Sequence, residues 1–301
     1  MKEIPVHDFA MERRLLQLDP DLHRRFTDAV FALHRNLSGY RLIFPEYTDH
    51  SNLHSMTVID FCNQLIGEQI SRLNADQLYV LLMSCYFHDT GMGITMKDYE
   101  EFSQNIDFSD FFDTHSRDDY PTLIRTFHHE FSGQFIHKYA TLFDIPTPEH
   151  EKAIIQVSRG HRRTDLMDER EYPADARVPN GNTLCLPYLS SLIRLADEID
   201  VAAARNPVLL YDIEALTDEM QIVENKKVLA VRSLLVTESA FSLQVETPET
   251  EIREQIRQLV IKMQATLDYC REVVSRRTPF VITQEKVLPE FLNESTGEEY
   301  E

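Results

Sequence analysis

The run Leu81-Leu82-Met83-Ser84-Cys85-Tyr86-Phe87-His88-Asp89-Thr90-Gly91 decides how the chain reads. A strongly apolar helical stripe ends on an imidazole and a carboxylate, and Gly91 and Gly93 then stop the helix. An Asp beside such a run needs a partner or a cation, because an unpaired carboxylate away from water is costly. The pattern recurs. His54 shares a helical stripe with Val58 and Phe61, and His161 continues the stripe of Ile154 and Val157. Asp197 lies one turn beyond Ile193, and His129 precedes Gly133, Ile136 and Ala140 on its helix. Successive helices that each point a His or Asp from an apolar face are how a helical bundle assembles an internal metal site. Imidazole with carboxylate suits Mn, Fe, Co, Ni or Zn, and carboxylate with water suits Mg.

Around these residues the first two hundred positions read as helices. Asp19-Pro20 opens one, with Phe26, Val30 and Leu33 inward and Gly39 ending it. Ser51 and Asn74 are the expected caps of the next two, and Pro121 starts a fourth. Thr147-Pro148-Glu149 starts a fifth, and a sixth is expected from Pro187 to Ala204. Two polar stretches, 91–120 and 162–183, read as long connections that cover a site or move. Beyond them, 230–236 and 241–245 read as a β-hairpin, a helix follows from Pro248 to Arg277, and Phe280-Val281-Ile282 reads as a further strand. The expected divisions are an N-terminal helical segment (1–44), a metal-binding helical domain (45–205), an α+β appendage (206–289) and an acidic tail (290–301).

Composition limits the partners. The 301 residues carry 30 Lys+Arg against 50 Asp+Glu, a formal net charge of −20. That balance disfavours non-specific nucleic-acid binding and an anionic membrane surface. No window is long and apolar enough to span a bilayer, and residues 1–19 lack the apolar core of a signal peptide. Four dispersed cysteines, without a CxxC pair, are expected to be reduced thiols in a cytoplasmic protein. Dinucleotide-binding, P-loop and nucleophile-elbow motifs are absent.

The ordered set His54-Ser55, His88-Asp89, His129, His161 and Asp197 resembles the HD superfamily of metal-dependent phosphohydrolases. The segments Tyr86–Met92, His128-His129-Glu130-Phe131-Ser132-Gly133 and Leu195-Ala196-Asp197-Glu198-Ile199-Asp200 are similar to that superfamily's motifs. With Phe44–His50 and His54, the chain resembles a bacterial branch of HD domains associated with Hsp90-like ATPases and conflict systems. The resemblance implies a mainly α, HD-domain/PDEase-like bundle with a small hairpin-containing C-terminal part. It implies one divalent metal on His54, His88, Asp89 and Asp197, and a second on His129 and His161, with Asp89 shared. His128 is an alternative to His129, but the Gly four residues on favours His129.

The activity implied is phosphohydrolysis of a nucleotide or other phosphate ester through a metal-bridging hydroxide. Asp89 and His88 would be catalytic, and Arg162, Arg163, Arg194 and His50 would contact substrate. The same ligand set would serve a di-iron oxygenase, or a nucleotide-sensing module beside an ATPase. A homo-oligomer or an ATPase partner is compatible with the resemblance. The absence of a Lys right after the His-Asp pair counts against a cyclic-dinucleotide phosphodiesterase of the best-known kind.

Overall fold

The computed structural model describes residues 9–37, 52–116, 119–162, 164–202 and 219–292, which form a mainly α fold in two compact units. The caps at Ser51 and Gly39 and the segment 44–50 lie outside the described residues, as do the expected boundaries at 44–45 and 205–206.

One unit comprises 1–45, 50–197 and 270–282. Its centre is α4 (Ala75–Phe87), which packs on α1 (Ala10–Leu18), α2 (Pro20–Leu37), α3 (Asn52–Ile66) and α8 (Pro148–Arg159). Leu78 through Phe87 are buried on every face of α4, as expected of a helix apolar all round. Each such side chain contributes about 1.5–3 kcal/mol of burial. Asn74 caps it in a reciprocal box with Gln77. Asp19 caps α2 by accepting from the amides of Asp21 and Leu22, each at 3.0 Å, and Leu22, Phe26, Ala29 and Leu33 form its buried stripe. Thr147 caps α8, and α7 (Tyr120–Tyr139) packs along α8.

The described residues of the polar stretch 91–120 are folded rather than a loose connection. It contains a 3-10 turn at Thr90–Gly93, α5 (Met96–Phe102) and the single-turn α6 (Ser109–Phe112). Phe102, Phe108 and Phe111 are buried, and Phe108 sits edge-on to Phe127 at 5.0 Å between centroids. The aromatic anchors are irregularly spaced, so no helical period shows in the sequence. The second stretch is also built, around a hairpin of β1 (Ala176–Arg177) and β2 (Thr183–Leu184) that turns at Gly181, φ +91°. α9 (Leu186–Glu198) is shorter than expected, because the Val201 amide turns back onto the Ile199 carbonyl at 2.9 Å.

The β1–β2 hairpin is pinned by one buried acid. Asp76 accepts from His150 Nε2 at 2.8 Å, from Asn182 Nδ2 at 2.7 Å and from Asn180 Nδ2 at 3.0 Å. Burial alone would raise its pKa, but the His150, Asn182 and Asn180 hydrogen bonds outweigh that and hold the carboxyl at about 2. A depressed carboxyl pKa adds stability that is complete above the ordinary value of 3.8 and is lost as pH falls toward 2. Asp76→Ala should cost about 2–3 kcal/mol, since it leaves the buried His150 Nε2 without its acceptor and frees the exposed Asn180 and Asn182 amides that tie down the hairpin. Thermal unfolding at pH 7 and pH 3 checks this: the gap between variant and wild type should narrow at the lower pH.

The other unit comprises 46–49, 198–269 and 283–301. α10 (Glu219–Ala230) leads directly into β3 (Val231–Val236), which pairs antiparallel with β4 (Ala240–Val245). The expected hairpin is therefore present. β5 (Lys286–Phe291) pairs parallel with β4, and α11 (Thr250–Arg277), of which residues 250–269 belong to this unit, lies in the long connection that a parallel pair requires. In this unit Gln264 of α11 anchors β5, donating to the Glu285 carbonyl and accepting from the Val287 amide at 2.8 Å. The strand expected at 280–282 is not formed. Phe280 belongs to the first unit, where its ring stacks flat on Tyr188 at 4.1 Å. Pairing occurs instead at 286–291, so the segment from 290 begins inside a strand.

Among the described residues, no helix is long and apolar enough to cross a membrane.

Candidate metal centre

Helix ends deliver the functional side chains. His54 enters from the first turns of α3, and His88 and Asp89 follow the last turn of α4. His128 projects from α7, His161 lies just past α8, and Asp197 is on the last turn of α9. His54, His88, Asp89, His128 and His161 are all buried.

A repeated local device orients three of the imidazoles. His88 Nδ1 bonds the Cys85 carbonyl at 3.0 Å, His128 Nδ1 the Arg125 carbonyl at 2.7 Å, and His161 Nδ1 the Ser158 carbonyl at 2.5 Å. In each the acceptor is the carbonyl three residues earlier. A carbonyl only accepts, so Nδ1 carries the proton and Nε2 presents a bare lone pair.

These Nε2 atoms converge, together with that of His54. His128 Nε2 and His161 Nε2 are 2.8 Å apart, and His54 Nε2 and His88 Nε2 are 3.1 Å apart. Asp89 faces both pairs. Its Oδ2 is 3.4 Å from His54 Nε2 and 3.5 Å from His88 Nε2, while Oδ1 is 3.3 Å from His128 Nε2 and 3.8 Å from His161 Nε2. Asp197 Oδ1 closes the first group at 3.2 Å from His54 Nε2 and 3.9 Å from His88 Nε2.

This donor set fits metal ions. Two lone pairs 2.8 Å apart repel unless a proton or a cation lies between them. A proton is disfavoured, because burial pushes the His128 imidazole down to about 3 and, with His88 and His128 nearby, drives His161 well below its ordinary value. Ligand atoms about 2.1 Å from a common ion lie about 3.0 Å apart at right angles and about 3.4 Å apart at tetrahedral angles. The observed separations span those values. Burial works against ionisation of Asp197, but hydrogen bonding to His54 and the surrounding imidazoles hold its carboxyl well below the usual range. Two groups that could hold a metal ion result, His54–His88–Asp89 and Asp89–His128–His161.

The structure thus brings together His54, His88, Asp89, His161 and Asp197 as expected, and corrects one position. His128, not His129, completes the second group. The His129 ring is 6.5 Å from that of His161, and its Nε2 lies 3.5 Å from Glu130 Oε1. Gly133, which favoured His129, serves a different contact: a Cβ there would meet Ile155 and Arg159 of α8. The telling residue was Ser132, four after His128. Its Oγ donates to the His88 carbonyl at 2.7 Å and accepts from the Gly91 amide at 2.9 Å, tying α7 to the His88-Asp89 turn. His128→Ala should therefore lower bound metal by about one ion per chain, while His129→Ala leaves the metal content unchanged. Elemental analysis of the two purified variants checks this.

Of the expected substrate contacts, His50 and Arg163 lie outside the described residues. Arg194 is buried and holds the loop after His161, donating to the Gly160 carbonyl at 2.7 Å and the Thr164 carbonyl at 2.8 Å. Arg162 is half-buried; burial chiefly, and the Arg162 charge in addition, lower the pKa of both His128 and His129. The thiols of Cys62 and Cys85 are free and buried, with their sulfurs 4.0 Å apart.

The HD-CE family model matches residues 44–279, which include every residue of this cluster. The chain belongs to the HD-CE family. No curated protein and no solved structure matches it. This HD-CE chain therefore carries an HD-type domain whose His/Asp clusters could bind metal ions.

Proposed function

We propose that this HD-CE chain is a divalent-metal-dependent phosphohydrolase acting on a nucleotide or another small phosphate ester. One observation carries the reading: the Asp89 carboxylate divides its oxygens between two pairs of imidazoles whose Nε2 atoms converge. His54, His88, Asp89 and Asp197 would hold one ion, and Asp89, His128 and His161 the other. Bound there, such ions would polarise a phosphoryl oxygen and lower the pKa of water, the two demands of phosphate-ester hydrolysis at neutral pH.

The chain's own residues do the rest. The Nδ1–H bonds to helix carbonyls fix the His88, His128 and His161 rings, so their ligand atoms need little reordering. The Asp89 turn is locked through Ser132. Arg162, on the loop that follows His161, supplies a guanidinium for the substrate phosphate. Among the described residues it makes no ion pair. An acidic chain can bind a phosphate in this way because the cations and Arg162 oppose its charge locally.

Purified protein should contain about two transition-metal ions per chain. It should release phosphate or an alcohol from at least one member of a panel of nucleoside mono- and triphosphates, cyclic nucleotides and aryl phosphates, and chelation should stop the reaction. Metal-loaded protein inert toward the whole panel overturns the proposal.

A further inference from the structure

The helices that deliver His128 and His161 meet in matched steps. His137 of α7 faces Glu151 of α8, with Nδ1 2.6 Å from Oε1. One turn back along α7 and one turn on along α8, Gly133 faces Ile155, and a Cβ at Gly133 would lie 3.3 Å from Ile155 Cγ2. The next step pairs Glu130 with Arg159, which donates from Nε to Oε2 at 3.0 Å and from Nη2 to Oε1 at 2.7 Å. The step after that is His128 with His161, whose Nε2 atoms are 2.8 Å apart. The two helices are therefore antiparallel, and the imidazole pair is a further rung of the same register.

Each imidazole is tied to the backbone of its own helix. His128 Nδ1 donates to the Arg125 carbonyl, and His161 Nδ1 to the Ser158 carbonyl. Neither ring follows the other if the helices slide, so the gap between the Nε2 atoms depends on where α7 lies along α8. A slip of one residue shifts a rung by about 1.5 Å, whereas metal–ligand distances tolerate about 0.2 Å. Glu130 is two residues from His128 and Arg159 two from His161, so their ion pair is the rung beside the imidazoles. A guanidinium bonded to both carboxylate oxygens fixes direction as well as distance, which an ammonium would not. Its remaining nitrogen is also held, since Nη1 donates to Glu171 Oε1 at 2.5 Å. Gly133 leaves room for the stem: a Cβ there would lie 3.7 Å from Arg159 Cδ.

We infer that Arg159 is a positioning residue for the second metal group: its fork on Glu130 holds α7 in register with α8 and so sets the gap between His128 Nε2 and His161 Nε2. The inference rests on Asp89, His128 and His161 being metal ligands, and it requires no hydrolysis. It predicts the opposite of a simple charge effect. Removing a cation near a metal site should tighten the ion through space, whereas losing the register should weaken it.

The test titrates full-length, chelator-stripped protein with Mn2+ by calorimetry, comparing wild type with Arg159→Ala, Arg159→Lys and Glu171→Gln. Wild type should take up about two ions per chain. Arg159→Ala should bind one ion as wild type does and the other at least about tenfold more weakly. Arg159→Lys keeps the charge and loses the fork, so it should weaken the same ion by a smaller factor. It also supplies the measurement if Arg159→Ala does not fold. Glu171→Gln leaves the fork on Glu130 in place, so both ions should bind within about twofold of wild type. Two ions held by Arg159→Ala as tightly as by wild type, or more tightly, overturn the inference. Equal weakening of both ions, the mark of a general loss of stability, also overturns it. Wild type that binds a single ion removes the second group itself, and the inference falls with it. Because hydrolysis is not measured, a protein that binds two ions and turns over nothing would sink the phosphohydrolase proposal and leave this test standing.

Discussion

Asp89→Ala will strip metal from both imidazole pairs and lower hydrolysis by at least about a thousandfold. No other replacement in the centre has this reach. Each imidazole belongs to one group, but Asp89 places Oδ2 within 3.5 Å of His54 and His88 and Oδ1 within 3.8 Å of His128 and His161. Removing it leaves two histidines as the common core of each group, with Asp197 beside only the first. Asp89→Asn separates the two functions of the carboxylate. An amide offers one oxygen and an NH2 group with two donors, so it can serve one pair while its NH2 opposes a cation at the other. Asp89→Asn should therefore keep about one ion per chain and Asp89→Ala close to none. The metal-free fold should survive both, because the interactions removed lie among groups that repel in the absence of a cation. The stabilisation that added metal gives wild type should disappear in Asp89→Ala, since a ligand stabilises only the state that binds it. Elemental analysis and melting curves with and without added Mn or Zn measure these effects. Asp89→Ala with full metal content would sink the shared-carboxylate reading.

The legible part of the fold was the part written as regular helical stripes. The run ending at His88-Asp89, the Asp19 and Thr147 caps and the stripe through Ile193 to Asp197 each combine apolar period with a terminus signal, and each forms the expected helix. What escaped had no period. Phe102, Phe108 and Phe111 anchor the segment after Gly93 through single aromatic contacts at irregular spacing. Phe280 looked like a strand residue by β-propensity, but ring stacking on Tyr188 took precedence over pairing. The site followed the same division. Residues on apolar stripes were found, whereas the choice between adjacent His128 and His129 depends on which face of α7 meets the His88-Asp89 turn. One residue around a helix is about 100° of rotation, and only a tertiary contact fixes it. Ser132 and Gly91 make that contact. Arg159 was the least legible, because its partner Glu130 is 29 residues away and only the packing of α7 on α8 makes them neighbours.

The contact between α7 and the His88-Asp89 turn gives the second large effect. Gly91→Ala should cost about 3–5 kcal/mol and deplete metal at the His128 side first. An added Cβ at Gly91 would lie 2.1 Å from the His128 carbonyl oxygen and 2.8 Å from the Ser132 amide nitrogen. Both are backbone atoms of a helix, so no rotamer change relieves the clash, and the turn must separate from α7 by more than about 1 Å to reach ordinary contact. That gap opens between Asp89, two residues before the substitution, and His128. The His54–His88–Asp89 group involves no atom of α7 and should persist. The expected product is a less stable protein with about one ion per chain in place of two. Ser132→Ala provides the graded comparison. It loses the Oγ bonds to the His88 carbonyl and from the Gly91 amide but adds no bulk, so it should cost about 1–2 kcal/mol and weaken the second ion rather than expel it. Thermal unfolding with elemental analysis orders the three proteins. A Gly91→Ala variant as stable as wild type, with both ions in place, would show that the spacing between α7 and the turn does not control the second group.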